Sequence, residues 1–198
     1  MKLNIWERFF ILSPFRPLVQ RHLEARQLFQ MGGPLNGGRA LEIGCGPGWG
    51  IELIDALFGA DEIHAFDLDR DMVKRAGRRN LRRASRTGLW AGNVRRIPVP
   101  DASYDAVFNF GVIHHVVDWR AALGEVFRVL KPGGRFYCEE ILKRYITHPL
   151  LGRLMVHPQH DRFDGLAFRE GLAQAGFDVH GVREMGDLYL WVIAVKPV

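Results

Sequence analysis

Four glycines at every second position follow an apolar run and could hold a nucleotide-like ligand. Residues 40–50 read Ala-Leu-Glu-Ile-Gly-Cys-Gly-Pro-Gly-Trp-Gly, so glycine stands at positions 44, 46, 48 and 50. Glycine reaches positive φ without steric cost and lets a ligand approach bare backbone. A glycine-dense turn between a strand and a helix is therefore typical of a nucleotide-binding site.

The spacing of these glycines disfavours a diphosphate ligand. The G-x-G-x-x-G fingerprint would need glycine at position 49 or 51, where Trp49 and Ile51 stand. A P-loop is excluded because no Gly-Lys-Ser/Thr follows. Glu42 places a carboxylate beside the turn, which would repel a diphosphate but suits a ligand that carries an ammonium group.

The whole chain has the composition of an ordinary globular protein. Its 198 residues suit a single domain. No apolar run is long enough to span a bilayer, and the N-terminus lacks the features of a signal peptide. The two cysteines, Cys45 and Cys138, offer no metal-binding spacing and no disulfide framework. We therefore expect a cytoplasmic protein without a transmembrane segment or a metal site.

Basic residues are concentrated between Arg70 and Arg96, where ten Lys or Arg residues accompany one acid, Asp71. A helix over residues 70–87 would align six arginines on one stripe. One interpretation is a solvated helix face, and the other is a patch for anionic lipid, RNA or an acidic partner. The absence of interleaved aromatic residues weakens single-stranded nucleic acid as the partner. The stripe consists of Arg75, Arg78, Arg79, Arg82, Arg83 and Arg86.

Strand and helix patterns alternate along the chain after two short N-terminal helices, which Ser13-Pro14 separates. Alternation of this kind predicts an α/β fold with a doubly wound, mostly parallel, seven-stranded sheet. The last two strands are joined at Gly186-Asp187 as a hairpin, so the last strand should be antiparallel. The predicted strands are Arg39–Ile43, Glu62–Phe66, Leu89–Ala91, Tyr104–Phe110, Arg135–Glu139, Phe177–Arg183 and Tyr189–Val195.

Four segments in this order resemble the class I S-adenosylmethionine-dependent methyltransferases, and most of all their small-molecule branch of ubiquinone and menaquinone biosynthesis. They are residues 41–48 (LEIGCGPG), 65–69 (AFDLD), 97–105 (IPVPDASYD), and His114-His115 leading to residues 128–134 (RVLKPGG). The resemblance runs from about Ala40 to Glu140. It implies a Rossmann-like methyltransferase domain over residues 39–198, with residues 1–38 as a helical lid of the same domain.

The resemblance also implies S-adenosyl-L-methionine as the cofactor. Asp67 would accept hydrogen bonds from the ribose, while Asp69 caps the following helix. Glu42 would lie near the methionyl ammonium. Asn93 stands where the family often carries an Asp that accepts from the adenine, and its side-chain carbonyl can still accept that bond. The full set is Glu42, Gly44, Cys45, Gly46, Asp67, Leu68, Asn93, Val94, Phe110 and Gly111.

Methyl transfer from a sulfonium needs alignment of the acceptor, and it needs a base only where the acceptor must lose a proton. His114 and His115 follow strand four at the edge of the cofactor, and they are the candidate catalytic residues. The alternative is that one of them packs and bonds the backbone. His157 and His160 are second candidates for the acceptor pocket, and together with Asp161 they form a weak alternative metal site.

The methyl acceptor is expected to be a small or lipid-like molecule. The N-terminal helices expose Trp6, Phe9, Phe10 and Phe15, which would serve as a lid or as an interfacial segment in peripheral contact with a membrane. Asn109-Phe110-Gly111-Val112 replaces the Asn-Pro-Pro-Tyr/Phe of nucleobase methyltransferases. The alternatives are a nucleic-acid methyltransferase that uses the arginine stripe and a non-catalytic module that binds the cofactor.

Overall fold

A seven-stranded sheet forms the centre of the chain in the computed structural model, which describes Phe9, residues 11–146 and residues 161–198. The strands are β1 (Arg39–Ile43), β2 (Glu62–Asp67), β3 (Thr87–Ala91), β4 (Tyr104–Phe110), β5 (Leu130–Ile141), β6 (Asp178–Met185) and β7 (Tyr189–Val195). Their order in the sheet is β3-β2-β1-β4-β5-β7-β6.

The pairing of the strands confirms the predicted fold class. Strands β1 to β5 pair in parallel, and β7 runs antiparallel to both of its neighbours, β5 and β6. The order reverses between β1 and β4, so the carboxyl ends of these strands open a crevice. Open α/β sheets bind their ligands at this kind of switch point.

Helices cover both faces of the sheet. They are α1 (Arg16–Val19), continued through a π-helical segment (Gln20–Ala25) into α2 (Arg26–Gly32); α3 (Trp49–Leu53), extended by a π-helical segment (Ile54–Phe58); α4 (Arg70–Arg79), followed by a 3-10 segment (Leu81–Arg86); a 3-10 turn (Ile113–His115); α5 (Trp119–Val129); α6 (Lys143–Ile146); and α7 (Gly165–Gln174). The helices α5 and α7 pack on one face around Trp119 and Phe168, while Phe58 and Tyr137 belong to the core of the other face.

The N-terminal helical segment is held to the sheet at its carboxyl end. Leu28 is fully buried, and the carbonyl oxygen of Gly32 accepts a hydrogen bond of 3.1 Å from the Tyr137 hydroxyl. This region matches the second predicted N-terminal helix. The first predicted helix falls mostly on residues outside the described ones.

The arginine-rich helix is shorter than predicted, which breaks the proposed stripe. Helix α4 ends at Arg79, where Asn80 forms the C-terminal cap. The Asn80 side-chain amide donates to the carbonyl oxygen of Ala76 at 3.0 Å. In the 3-10 segment that follows, Arg83 and Arg86 pair with Asp55 at 2.6 and 3.0 Å. The prediction of one continuous helix over residues 70–87 is therefore wrong, because the α-helix ends at Arg79. The predicted stripe is also interrupted, because two of its six arginines form ion pairs with Asp55.

Among Phe9, residues 11–146 and residues 161–198, no helix is both long enough and apolar enough to cross a membrane.

Candidate functional site

A cavity of about 380 Å³ opens at the carboxyl ends of β1, β2 and β4. Its walls include every residue that the sequence predicted for cofactor binding. These are Glu42, Gly44, Cys45, Gly46, Asp67, Leu68, Asn93, Val94, Phe110 and Gly111. The topology explains the convergence, since parallel strands that alternate with helices deliver their following loops to one edge of the sheet.

The glycine turn after β1 needs left-handed backbone at three positions. Gly44, Gly46 and Gly48 have φ of +65°, +50° and +90°. A side chain at Gly44 would overlap Val112, and a Cβ at Gly48 would lie 2.6 Å from the Asn80 amide nitrogen. Only glycine meets both demands, so the backbone of the turn lies bare along the cavity wall.

Asp67 at the end of β2 is held by two backbone amides. Its carboxylate accepts from Gly46 N–H at 2.9 Å and from Asp69 N–H at 2.8 Å. Burial raises the pKa of Asp67, and these two hydrogen bonds oppose the rise. Asp69 caps helix α4 by accepting from Asp71 N–H at 2.8 Å, as predicted.

Glu42, which lines the cavity, is a buried carboxylate. It is 2 % exposed, and its Oε2 has no hydrogen-bond partner among the described residues. Burial raises the pKa of Glu42 well above its usual 4.5; the nearby Asp67 adds to the rise and Arg16 opposes it. The side chain fits because residue 50 is glycine, where any Cβ would overlap the Glu42 carboxylate.

Arg16 is a residue of the cavity wall that was not predicted for the site. It lines the cavity together with Ile11 and Gln20. Its guanidinium donates to Glu24 at 2.9 Å. Burial lowers the pKa of Arg16, but Glu24 outweighs that effect and raises it overall. No local motif marks this arginine, because its place in the site depends on how the helix lies across the sheet.

Trp49 is a second residue that the analysis did not assign to the site. It lines the cavity, and the guanidinium of Arg79 lies 3.1 Å from the centre of its ring. Arg79 also donates to the carbonyl oxygen of Pro47 at 3.0 Å. One arginine of the predicted stripe therefore supports the glycine turn.

Asn93 after β3 has one committed acceptor position. Its side-chain oxygen accepts a hydrogen bond from Arg95 N–H at 3.0 Å. Its backbone carbonyl oxygen accepts one from Arg96 N–H, also at 3.0 Å, and the two bonds close a tight turn. A carbonyl oxygen has two lone pairs, so one remains for a ligand.

The structure separates the two candidate histidines. His115 lines the cavity, whereas His114 lies in the wall of a second, smaller cavity. The Nδ1 of His114 lies 2.6 Å from Glu140 Oε2, and its side chain is 3 % exposed. The two imidazole rings are 4.2 Å apart between centres. His114 is therefore the histidine that packs in the interior, as the alternative interpretation expected of one of the two. Its side-chain partner is the Glu140 carboxylate and not the backbone.

Glu140 is the group that organises the loop after β4. Its Oε1 accepts from Asn109 Nδ2 and Ile113 N–H, both at 2.7 Å, and from Val112 N–H at 3.2 Å. The carboxylate is fully buried, so these bonds replace its lost hydration. The pair Glu139-Glu140 at the end of an apolar strand was a signal that sequence analysis could have used.

The alternative metal site is only partly within the described residues. His157 and His160 lie outside them, and Asp161 pairs with Arg120 at 2.9 Å. Among the described residues, no group of three or more His, Cys, Asp or Glu side chains could hold a metal ion.

Comparison with known proteins assigns the family. A family model described as a methyltransferase domain matches residues 41–138. The chain belongs to the S-adenosylmethionine-dependent methyltransferases.

Individual methyltransferases give the extent of the similarity. A probable S-adenosylmethionine-dependent methyltransferase of Mycolicibacterium smegmatis is 36% identical over 140 residues, which are 70% of this chain and 51% of that protein. A demethylmenaquinone methyltransferase of a Geobacillus species is 32% identical over 126 residues, or 61% of this chain and 53% of that one. The chain therefore spans about half the length of these curated relatives.

The fold comparison covers almost the whole chain. A crystal structure of an S-adenosylmethionine-dependent methyltransferase from Aquifex aeolicus covers 98% of this chain and 99% of its own, with a TM-score of 0.76 and 19% identity. This likeness shows the methyltransferase fold.

Proposed function

We propose that this chain binds S-adenosyl-L-methionine and transfers its methyl group to a small-molecule or lipid-like acceptor. One observation carries the proposal: a single cavity gathers the glycine turn, a carboxylate at the end of β1 and a carboxylate at the end of β2. Family membership supports the cofactor, and the charges in the cavity support its orientation.

The charged residues of the cavity fit the polar groups of the cofactor. The unused Oε2 of Glu42 would accept from the methionyl ammonium, which also explains why a carboxylate is tolerated in a buried position. The Arg16 donors that Glu24 does not engage would hold the methionyl carboxylate. Asp67, kept in place by two amides, would accept from the ribose hydroxyls.

The adenine ring and the methionyl part of the cofactor would contact the other cavity-lining residues. Asn93 would accept from the adenine amino group with its free lone pair, and Val94 and Leu68 would flank the ring. Phe110 and Gly111 end β4 beside the methionyl part, where Gly111 has φ of +67° and presents bare backbone.

The main task of the protein in methyl transfer is to align the acceptor with the methyl group of the cofactor. When bound, S-adenosylmethionine supplies a methyl group on a sulfonium, which is an excellent leaving group. Val112, Val116 and Val117 line the same cavity and would hold an apolar acceptor in line with that group while they exclude water. We assign the role of general base to His115 where the acceptor must lose a proton, because His115 reaches the cavity and His114 does not.

A lipid-like acceptor is the preferred substrate class. The demethylmenaquinone methyltransferases among the relatives support it, since their name describes an acceptor of that class. Exposed aromatic side chains near the cavity add support, because Phe9 and Phe15 are 72% and 71% exposed beside Ile11 in the cavity wall. The cavity-lining valines give the acceptor an apolar path.

The first experiment is calorimetry with S-adenosylhomocysteine. We expect saturable one-to-one binding, and the absence of binding at millimolar ligand would remove the proposal. Incubation with methyl-labelled cofactor and a panel of quinols, phenols and small amines then tests transfer. Binding without transfer to any acceptor would favour the non-catalytic module.

The nucleic-acid alternative loses its main argument. Arg83 and Arg86 are engaged with Asp55 and Arg79 with Trp49. The exposed remainder of the stripe no longer forms the continuous row that phosphate contacts along a duplex would require.

We also propose a reducing, cytoplasmic setting for the protein. Cys45 and Cys138 are free and buried thiols. Unpaired thiols are typical of compartments in which glutathione keeps cysteine reduced.

A further inference from the structure

Arg162 lies in the wall of the small cavity that adjoins the cofactor cavity. All three guanidinium nitrogens of Arg162 are buried, and none has a hydrogen-bond partner among the described residues. Arginine carries five N–H donors and a permanent charge. An uncompensated cation of this kind is strongly unfavourable in a folded interior, so its environment requires an explanation.

The backbone around Arg162 is fixed, which makes a chance orientation of the side chain a poor explanation. The carbonyl oxygen of Asp161 accepts from Trp119 Nε1 at 3.1 Å. The carbonyl oxygen of Phe163 accepts from Lys143 N–H at 3.1 Å, and its ring packs on Trp119 with 5.0 Å between centres. Arg162 is therefore anchored on both sides by neighbouring elements.

Arg162 lines the small second cavity, which adjoins the first. Val116 lies in the walls of both cavities, and His114 and Arg162 lie in the walls of the second. The carboxylates nearby are already engaged: Glu140 accepts from His114 and the loop amides, and Asp161 pairs with Arg120. Neither is bonded to Arg162.

Water alone does not satisfy this site. The second cavity offers about 10 Å³, which is room for roughly one water molecule. One water can accept from only two of the five donors, and it supplies no negative charge. An oxyanion would supply both the acceptors and the negative charge, because it matches a guanidinium in shape and charge.

We propose that Arg162 binds an oxyanionic group, a carboxylate or a phosphate, of the methyl acceptor. The proposal rests on the proposed function for the identity of the ligand. The anionic group enters by widening the second cavity, and the rest of the acceptor reaches across Val116 to the methyl group in the first. Arg162 is then a specificity-determining residue, since it selects acceptors that carry the anion.

The test uses inorganic phosphate and benzoate as probes on the full chain, at constant ionic strength set by chloride. Thermal unfolding is recorded with increasing probe for the wild type, Arg162→Met, Arg162→Lys and Arg144→Met. Arg144→Met is the matched control, because it removes one positive charge from a side chain that is 70% exposed. The two probes distinguish a phosphate-bearing from a carboxylate-bearing acceptor.

The expected result has two parts. One of the probes raises the Tm of the wild type and of Arg144→Met saturably, Arg162→Met loses at least tenfold in apparent affinity, and Arg162→Lys lies between them. Without a probe, Arg162→Met melts above the wild type because it removes an unpaired buried charge.

Three results would each overturn the proposal. They are no saturable probe effect on the wild type, an undiminished effect in Arg162→Met, and a probe-free Tm below the wild type in both Arg162 variants, which would show that the guanidinium has a structural partner. S-adenosylhomocysteine affinity is measured in parallel. If the wild type does not bind S-adenosylhomocysteine, the proposed function is refuted. If the wild type binds S-adenosylhomocysteine but shows no probe effect, only the role of Arg162 is refuted.

Discussion

Two carboxylates in the cavity differ in what holds them, and the difference separates their roles. Asp67 is bonded to two backbone amides, so its orientation is set before any ligand arrives. Glu42 has an acceptor oxygen with no bond among the described residues. A preformed acceptor suits neutral ribose hydroxyls, while an unsatisfied buried carboxylate suits a cationic group that supplies both charge and donors.

Ligand fragments should separate the two roles. We expect Asp67→Ala to weaken both S-adenosylhomocysteine and adenosine by about 1–3 kcal/mol, since both ligands carry the ribose. Glu42→Gln should weaken only S-adenosylhomocysteine, because adenosine has no ammonium. Calorimetry with both ligands measures this, and Asp69→Asn serves as the control because Asn caps a helix as well as Asp does. Equal losses of adenosine affinity in Asp67→Ala and Glu42→Gln would contradict the assignment.

The raised pKa of Glu42 predicts a pH dependence of stability without ligand. The unfolded carboxyl titrates near 4.5 and the folded one well above it, so folding favours the protonated form. The favourable contribution is complete below pH 4.5 and is lost as the pH rises through the raised pKa. Glu42→Gln lacks this loss, so it should be more stable than the wild type at pH 8, with the gap closing toward pH 4.5. Urea unfolding from pH 5 to pH 8 measures it, and a gap that grows on acidification would refute the cause.

At the scale of elements, the junction between β1 and α3 depends on glycine for two different reasons. Gly44, Gly46 and Gly48 need positive φ. Gly50 instead lies in helix α3, and it is required because the Glu42 carboxylate occupies the space of a Cβ. Sequence patterns treat the four glycines alike, whereas packing distinguishes them.

A pair of glycine substitutions tests this distinction. Alanine normally stabilises a helix interior by about 1 kcal/mol relative to glycine. Gly124→Ala in α5 should show that gain, because among the described residues nothing outside the local helix backbone lies within 4 Å of the added Cβ. Gly50→Ala should instead destabilise the protein by about 1–3 kcal/mol through overlap with Glu42, and it should weaken S-adenosylhomocysteine. Urea unfolding and calorimetry check both variants; a stabilised Gly50→Ala with full affinity would be inconsistent with a fixed Glu42.

At the scale of the whole molecule, the N-terminal helical segment joins the sheet and the cavity. Its carboxyl end is anchored where Gly32 accepts from Tyr137, and its amino end brings Ile11, Arg16 and Gln20 to the cavity wall. We therefore propose that the lid consists of residues 11–20, since the cavity-lining residues of this segment fall within that range.

Hydrogen exchange with and without S-adenosylhomocysteine tests the lid. We expect ligand to slow amide exchange in residues 11–20 by tenfold or more, because Arg16 gains a carboxylate partner and the segment closes over the cavity. Residues 26–32 should change little, since their packing is complete without ligand. Arg16→Ala is the control variant and should lose most of the protection. Uniform protection over both stretches would argue against a local lid.

Much of the site was predictable from local sequence for a physical reason. The sequence shows that Glu42 and the glycine turn lie at the end of one strand and that Asp67 lies at the end of the next. Parallel α/β topology brings the carboxyl ends of these strands to one edge of the sheet. The parts that were missed depend on contacts between distant segments. Arg16 reaches the cavity only through the crossing of a helix over the sheet, and Glu140 acts on a loop 26 to 28 residues away in the chain.

The sequence by itself determined the fold class and the antiparallel last strand, because both follow from local periodicity and strand order. The ten predicted cofactor residues, which all line the cavity, came mainly from the resemblance to the methyltransferases. Only the tertiary structure decided which histidine lines the cavity, where the arginine-rich helix ends and that no described residue hydrogen-bonds the Arg162 guanidinium. Those outcomes depend on burial and on partners supplied by other elements. His114 contacts Glu140, and the Arg162 guanidinium has no hydrogen-bond partner in the part of the chain that the structure describes. The neighbouring residues in the sequence indicate neither relation.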